Sequence, residues 1–177
     1  AASDADSMTW REVFITTYLE KDIPALGPRI PATTLRRLWT MLAHHQGELL
    51  DQAKLASALA ISGQTVSRYI DLLCDLMLVR RLPAWHGNVG KRLIRSPKVY
   101  VRDSGLVHAL LGLSNLDAVL GHPVAGSSWE GFVVEQIASH LPAGASMSFY
   151  RTAAGAELDV VVELGRRKLG FEVKFSS

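Results

Sequence analysis

The apolar residues of the chain recur in two rhythms. Up to residue 78 they return every three or four positions, the spacing of amphipathic helices. Trp10, Val13, Phe14, Thr17 and Tyr18 mark a first helix, which Pro24 ends. Leu35, Leu38, Trp39 and Leu42 mark a second. Asp51, a residue of N-cap type, precedes LASALA; a break at Ile61-Ser62-Gly63 follows, and a third periodic run covers residues 64–78. On a helical wheel Val66, Tyr69, Ile70, Leu73 and Met77 share the core face of that run, leaving Gln64, Ser67, Arg68, Asp71 and Asp75 outside. Residues 103–111 read as a further helix. Gly121, Pro123 and Gly126 mark a loop, and a helix over 127–141 carries an apolar stripe of Trp129, Val133, Ile137 and Leu141. Ser127 and Glu130 have the spacing of a capping box at its start. The rhythm then shortens to two, and residues 147–151, 157–163 and 168–175 read as strands.

Two short helices joined by a tight Ser/Gly turn and followed by a basic, hairpin-like stretch predict a winged helix-turn-helix over 46–102, preceded by a helical region over 1–45. Between Val79 and Arg102 the chain carries Arg80, Arg81, Lys91, Arg92, Arg95, Lys98 and Arg102 without a single acid. Arg80, Arg81, Lys91 and Arg92 of this wing, with Gln64, Ser67 and Arg68 of the preceding helix, are the candidate nucleic-acid contacts. Asp71 and Asp75 on the same exposed face oppose phosphate, so a spacer or protein-contact role stays equally open.

The last two strands can be registered from sequence. A two-residue turn at Gly165-Arg166 pairs Glu163 with Lys168, Val160 with Phe171 and Glu157 with Lys174. It also sets Asp159 opposite Glu172. Alternation puts Asp159, Glu172 and Lys174 on one face, with Leu158, Val160, Val162, Leu169, Phe171 and Val173 on the other. Facing carboxylates repel, and a divalent cation accepting both would relieve them; a solvated sheet face with a Glu157–Lys174 ion pair is the plainer alternative. Glu130 falls inside the apolar stripe of its helix and needs a partner, whereas Glu135 points to the far side.

With 48% hydrophobic and 20% charged residues and a net charge of +2, the composition excludes disordered and fibrous classes. The apolar runs are too short to cross a bilayer, no leader precedes them, and a cytoplasmic protein without membrane association is expected. The single cysteine, Cys74, sits in LLCDLMLV and reads as core. HGNVGKR resembles a phosphate-binding loop but is two residues short, with Arg92 where the hydroxyl belongs. No H-E-x-x-H pair and no G-x-S-x-G elbow occurs.

Glu130 on a helix, Asp159 on a strand and then Glu172-Val173-Lys174 resemble the restriction-endonuclease-like, PD-(D/E)xK nuclease fold. The order WREVFITTYLEKDI, LAISGQTVSRYIDLL, SPKVYVRDSGLVHALLG, SSWEGFVVEQI and ELDVVVE…FEVK is similar to the C-terminal region of a prokaryotic AAA+-type ATPase family, in which a winged helix precedes a domain of unknown function with nuclease-like motifs. The resemblance implies an α+β fold, with a restriction-endonuclease-like α/β domain and its small mixed sheet over 103–177. It implies an ATP-binding domain outside this chain as a partner, with oligomerisation left open. It also implies Mg²⁺ or Mn²⁺ held by Asp159, Glu172 and the Val173 carbonyl. Lys174 would act on the attacking water or the transition state, and Glu130 would complete the outer shell. The expected activity is metal-dependent hydrolysis of nucleic acid; the alternative is an inactive regulatory domain that binds DNA or protein.

Overall fold

A computed structural model describes residues 3–27, 30–86 and 94–175. Helix α1 (Asp4–Thr17) begins at Ser3, whose hydroxyl accepts the Asp6 N–H. It continues through a π-helical turn (Tyr18–Asp22) into the short α2 (Ile23–Ala25). Its buried stripe is Met8, Ile15, Leu19 and Ile23. The expected stripe is displaced: Trp10 is 65% exposed and Val13 is exposed as well, because Trp10 lies about 200° around the helix from Met8. Trp10, Phe14 and Tyr18 instead stack on one another along the outer flank, with ring centroids 5.6 and 5.3 Å apart.

Helix α3 (Ala32–His44) buries Leu35, Leu38, Trp39 and Leu42 as expected. Helix α4 (Gln52–Leu59) is capped by Asp51, which accepts the Lys54 N–H at 3.0 Å. Helix α5 (Gly63–Asp75) is capped by Ser62 and buries Val66, Ile70 and Leu73. Met77 departs from the expected core: the helix stops at Asp75, Met77 adopts a left-handed φ of 62°, and its side chain is exposed. Leu78 takes the buried place. Cys74 is half-buried, and burial pushes its thiol pKa up.

Strands β1 (Val79–Leu82) and β2 (Lys98–Val101) form an antiparallel ribbon, pairing Val79 with Val101 and Leu82 with Lys98. The other side of β2 bonds to residues 47–50: the Gly47 N–H donates to the Val99 carbonyl, and the Val99 N–H to that of Glu48. Helices α6 (Ser104–Leu110), α7 (Leu116–Leu120) and α8 (Ala125–Ser139) follow. The chain then forms an antiparallel sheet of β3 (Ser146–Arg151), β4 (Glu157–Leu164) and β5 (Arg167–Phe171), in that order. The sheet is therefore antiparallel rather than mixed, the parallel contact being an isolated bridge between Ala84 and Phe149. The register of β4 with β5 is the one read from the turn, from Leu164–Arg167 to Val160–Phe171, and Gly165 supplies the positive φ that the turn needs.

Period-two alternation makes the β1–β2 ribbon a shared wall. Val79, Val99 and Val101 belong to the core of the helices, while Leu82 and Tyr100 belong to a second core with Ala84, Val134, Phe149, Val160 and Val162. The larger core runs without a break from Ile15 to Val124, so α6 packs with the helices before it.

Helix α8 starts at Ala125, and no capping box forms; the Ser127 hydroxyl donates back to the Val124 carbonyl. Its buried stripe is Ala125, Ser128, Gly131 and Val134, whereas Trp129 is exposed. Small residues let the helix approach closely. A Cβ on Gly131 would lie 2.3 Å from Gln46 Nε2 and 3.3 Å from the Tyr100 ring. Gln46 is itself buried and fixed at both ends by Val101, accepting its N–H at 2.8 Å and donating to its carbonyl at 3.1 Å.

Candidate functional site

The segment Lys98-Val99-Tyr100-Val101-Arg102 explains how charges come to lie inside this protein. On a strand covered on both faces, alternate residues must each find a partner. Val99 and Val101 enter the helical core; Lys98, Tyr100 and Arg102 face α8 and the sheet. Lys98 is only 3% exposed. Its Nζ lies 2.8 Å from Glu157 Oε1, 2.9 Å from Glu130 Oε1 and 3.5 Å from Asp159 Oδ1, joining β2, α8 and β4. Burial by itself lowers the pKa of this ammonium, but the Glu130 and Glu157 carboxylates outweigh it, and the pKa lies above the usual lysine range. Lys98 is therefore charged.

The three acids are bound further. The buried Tyr100 hydroxyl donates to Glu130 Oε1 at 2.5 Å, and burial followed by the Glu130 charge pushes the phenol pKa up. Arg151 Nε lies 3.6 Å from Glu157 Oε2, and the Val173 N–H donates to Asp159 Oδ2 at 2.8 Å. Lys98 also sits 5.7 Å from the centroid of the buried Phe149 ring. The cluster lines an open pocket of about 940 Å³, whose rim includes His44, Glu48, His122 and Ser127.

Of the residues expected to form one metal site, the structure brings Glu130 and Asp159 together. Glu172 and Lys174 lie beyond the end of β5, both exposed, with their side chains paired to each other. That partner raises the Lys174 pKa. Val173 reaches the site through its N–H, on Asp159. Glu157 pairs with Lys98 and Arg151 instead of Lys174, while the Glu163–Lys168 pair forms at 2.8 Å as read from the register. Lys98 and Tyr100 escaped the sequence reading of this site. In the sequence Lys98 reads as one more cation of the basic wing, although the alternation of KVYVR carries the signal.

The arrangement does not fit a divalent cation. Among the described residues no group of three or more His, Cys, Asp or Glu is placed to hold one. The oxygens that face one another already bind Lys98, Tyr100, Arg151 and the Val173 N–H.

A second ionic group lies on the same wall of the ribbon. Glu135, which the wheel put on the far side of α8, is mostly buried and binds Arg80 through Nε and through Nη2 at 3.1 Å, and Arg102 Nε at 2.8 Å. Arg81 pairs with Asp71 of α5 at 2.7 Å and approaches the Ser67 carbonyl. Gln64 and Arg68 are exposed on α5 and Ser67 is half-buried, while Lys91 and Arg92 lie outside the described residues. Among the described residues no helix is long and apolar enough to cross a membrane.

A family model described as a domain of unknown function (DUF8612) matches residues 1–117, and one described as a domain of unknown function (DUF4143) matches residues 125–177. The interval between the two matched stretches takes in the end of α7, near where the larger core ends. The uncharacterized proteins Rv2008c of Mycobacterium tuberculosis and Mb2031c of Mycobacterium bovis are each 50% identical over all 177 residues. The chain spans 40% of the length of each of these relatives. No solved structure matches it.

Proposed function

The chain belongs to the DUF8612 family, a domain of unknown function, and from that premise we propose that it is a non-hydrolytic interaction module of a longer, ATPase-type protein. In this reading a winged helix, α3 to β2, is fastened to a restriction-endonuclease-like unit, α8 to β5. One observation carries it: two cations of the wing, Lys98 and Arg80, are turned from the surface onto acids of the other unit, while Arg68 and Arg95 stay exposed. Lys98 and Arg80 of the wing hold Glu130, Glu157, Asp159 and Glu135 of the nuclease-like unit. Arg81, the remaining wing arginine of β1, is held by Asp71. Side chains so engaged cannot neutralise phosphates without breaking those pairs. The exposed aromatic surfaces at Trp10 and at the stacked Trp129 and Phe132 suit a protein partner, such as the ATPase domain that the family resemblance implies.

The test is fluorescence anisotropy with duplex DNA and single-stranded RNA. Binding no tighter than the non-specific range, about 10⁻⁴ to 10⁻⁶ M at physiological salt, is expected, unaltered by Arg80→Ala. Sequence-selective nanomolar binding, weakened by that substitution, would overturn the proposal. A second reading, Mg²⁺- or Mn²⁺-dependent phosphodiester hydrolysis, draws on the meeting of Glu130 and Asp159 in one pocket and would need Lys98 to release their oxygens to the ion. It requires cleavage by the longer protein that Asp159→Asn abolishes.

A further inference from the structure

We propose that Lys98 is a built-in cation standing in the place of a divalent metal, and that removing its charge converts the acidic pocket into a divalent-cation site. The inference rests on the non-hydrolytic reading of that pocket and gives its physical cause.

The argument begins with donor and acceptor numbers. An ammonium group has three N–H donors and no acceptor. Lys98 meets three carboxylates from two elements at 2.8, 2.9 and 3.5 Å, so every proton has an anionic target. Mg²⁺ or Mn²⁺ would need near-octahedral oxygens at about 2.0–2.2 Å, far inside the spacing that an ammonium sets. Charge points the same way. Glu130, Glu157 and Asp159 bring three negative charges, and Lys98 with Arg151 bring two positive ones. Without the Lys98 charge the pocket would hold two uncompensated negatives on hard oxygen ligands, in a space of about 940 Å³ open to ions and water.

The position of Lys98 is fixed by the fold and not by a flexible loop. It lies on β2 between Leu82 of β1 and the bridge to Leu49, and its ammonium group packs over Phe149. The cation thus comes from the ribbon, 76 residues before the lysine of the E-V-K segment. That lysine is exposed and turned to Glu172.

The test uses the 177-residue chain and Mn²⁺ as probe, with titration calorimetry and thermal unfolding. The wild type should give no saturable heat with millimolar Mn²⁺ and no shift in Tm. Lys98→Met should bind Mn²⁺, and its Tm should rise by about 5–10 °C when the ion reaches a hundredfold excess over Kd. Lys98→Met/Asp159→Asn should lose most of that rise, and Lys98→Arg should show none. If Lys98→Met does not fold in chelator, recovery of its circular dichroism on adding Mn²⁺ supports the inference, and no recovery overturns it. Saturable Mn²⁺ binding to the wild type, or a folded Lys98→Met that binds none, would also overturn it. Nucleic-acid binding by the wild type would instead remove the interaction-module reading and leave the metal result to be read separately.

Discussion

The helical region and the three-stranded sheet hold themselves together by different means. Among the described residues the helical core joins twenty buried residues from Ile15 to Val124, whereas the core beside the sheet has seven. Every residue of β5 is exposed, Leu169 to 59%, and so is Phe175 beyond its end. What the sheet lacks in apolar burial it partly replaces with charge, through Lys98, Glu130, Glu157 and Asp159, and through Glu135 with its two arginines. An apolar core tolerates neighbours of many shapes, but a buried ionic cluster needs every member present. The sheet should therefore be the fragile partner, and its weak points should be polar.

The largest test of this difference is Lys98→Ala in metal-free buffer, which leaves three carboxylates around an empty place. A loss of about 3–5 kcal/mol in urea unfolding is expected, as for a buried pair broken on one side. Hydrogen exchange should rise first in β4 and α8. A loss below about 1 kcal/mol would show that the ions contribute little, in the manner of surface pairs, and that the small core suffices. Gly131→Ala sharpens the comparison from the packing side. The added methyl meets Gln46, whose amide cannot turn away without breaking its bonds to Val101, so a loss of about 1–3 kcal/mol is expected. Gly126→Ala, with nothing within 4 Å, should be stabilising or neutral.

The smallest effect concerns the contact of α6 with α8, where His108 Nε2 lies 2.9 Å from the buried Ser128 hydroxyl. Burial, and then the nearby Arg11 charge, lower the His108 pKa below its usual value. A histidine kept neutral in the fold contributes stability that is full above about pH 6.5, its unfolded value, and is lost as the pH falls below it. Thermal unfolding at pH 7.5 and 5.5 should show a smaller acid-side drop for His108→Gln than for the wild type. An identical drop would mean that the carboxylates alone set the acid response.

The helix caps at Asp51 and Ser62, the stripe of α3 and the register of β4 with β5 could all be read from the sequence, since each depends on neighbours within one element or one turn. Periodicity fixed which residues alternate. It did not say which of two opposite faces would be covered, so Trp10 and Trp129 came out exposed and small residues carried α8 inward. Charge is harder still, because a lysine is amphipathic and its sequence neighbours do not reveal whether its head reaches water. Lys98 and Arg80 read as part of a basic wing in the sequence, but the ribbon that carries them is walled on both sides. Spacing within single elements was enough for the helices other than α7, for the β4–β5 hairpin and for the inward place of Glu130, whereas Asp159 reads as part of the polar sheet face. Packing assigns Lys98 to both acids as their cation, since residues 98, 130, 157 and 159 meet through contacts that no local spacing encodes.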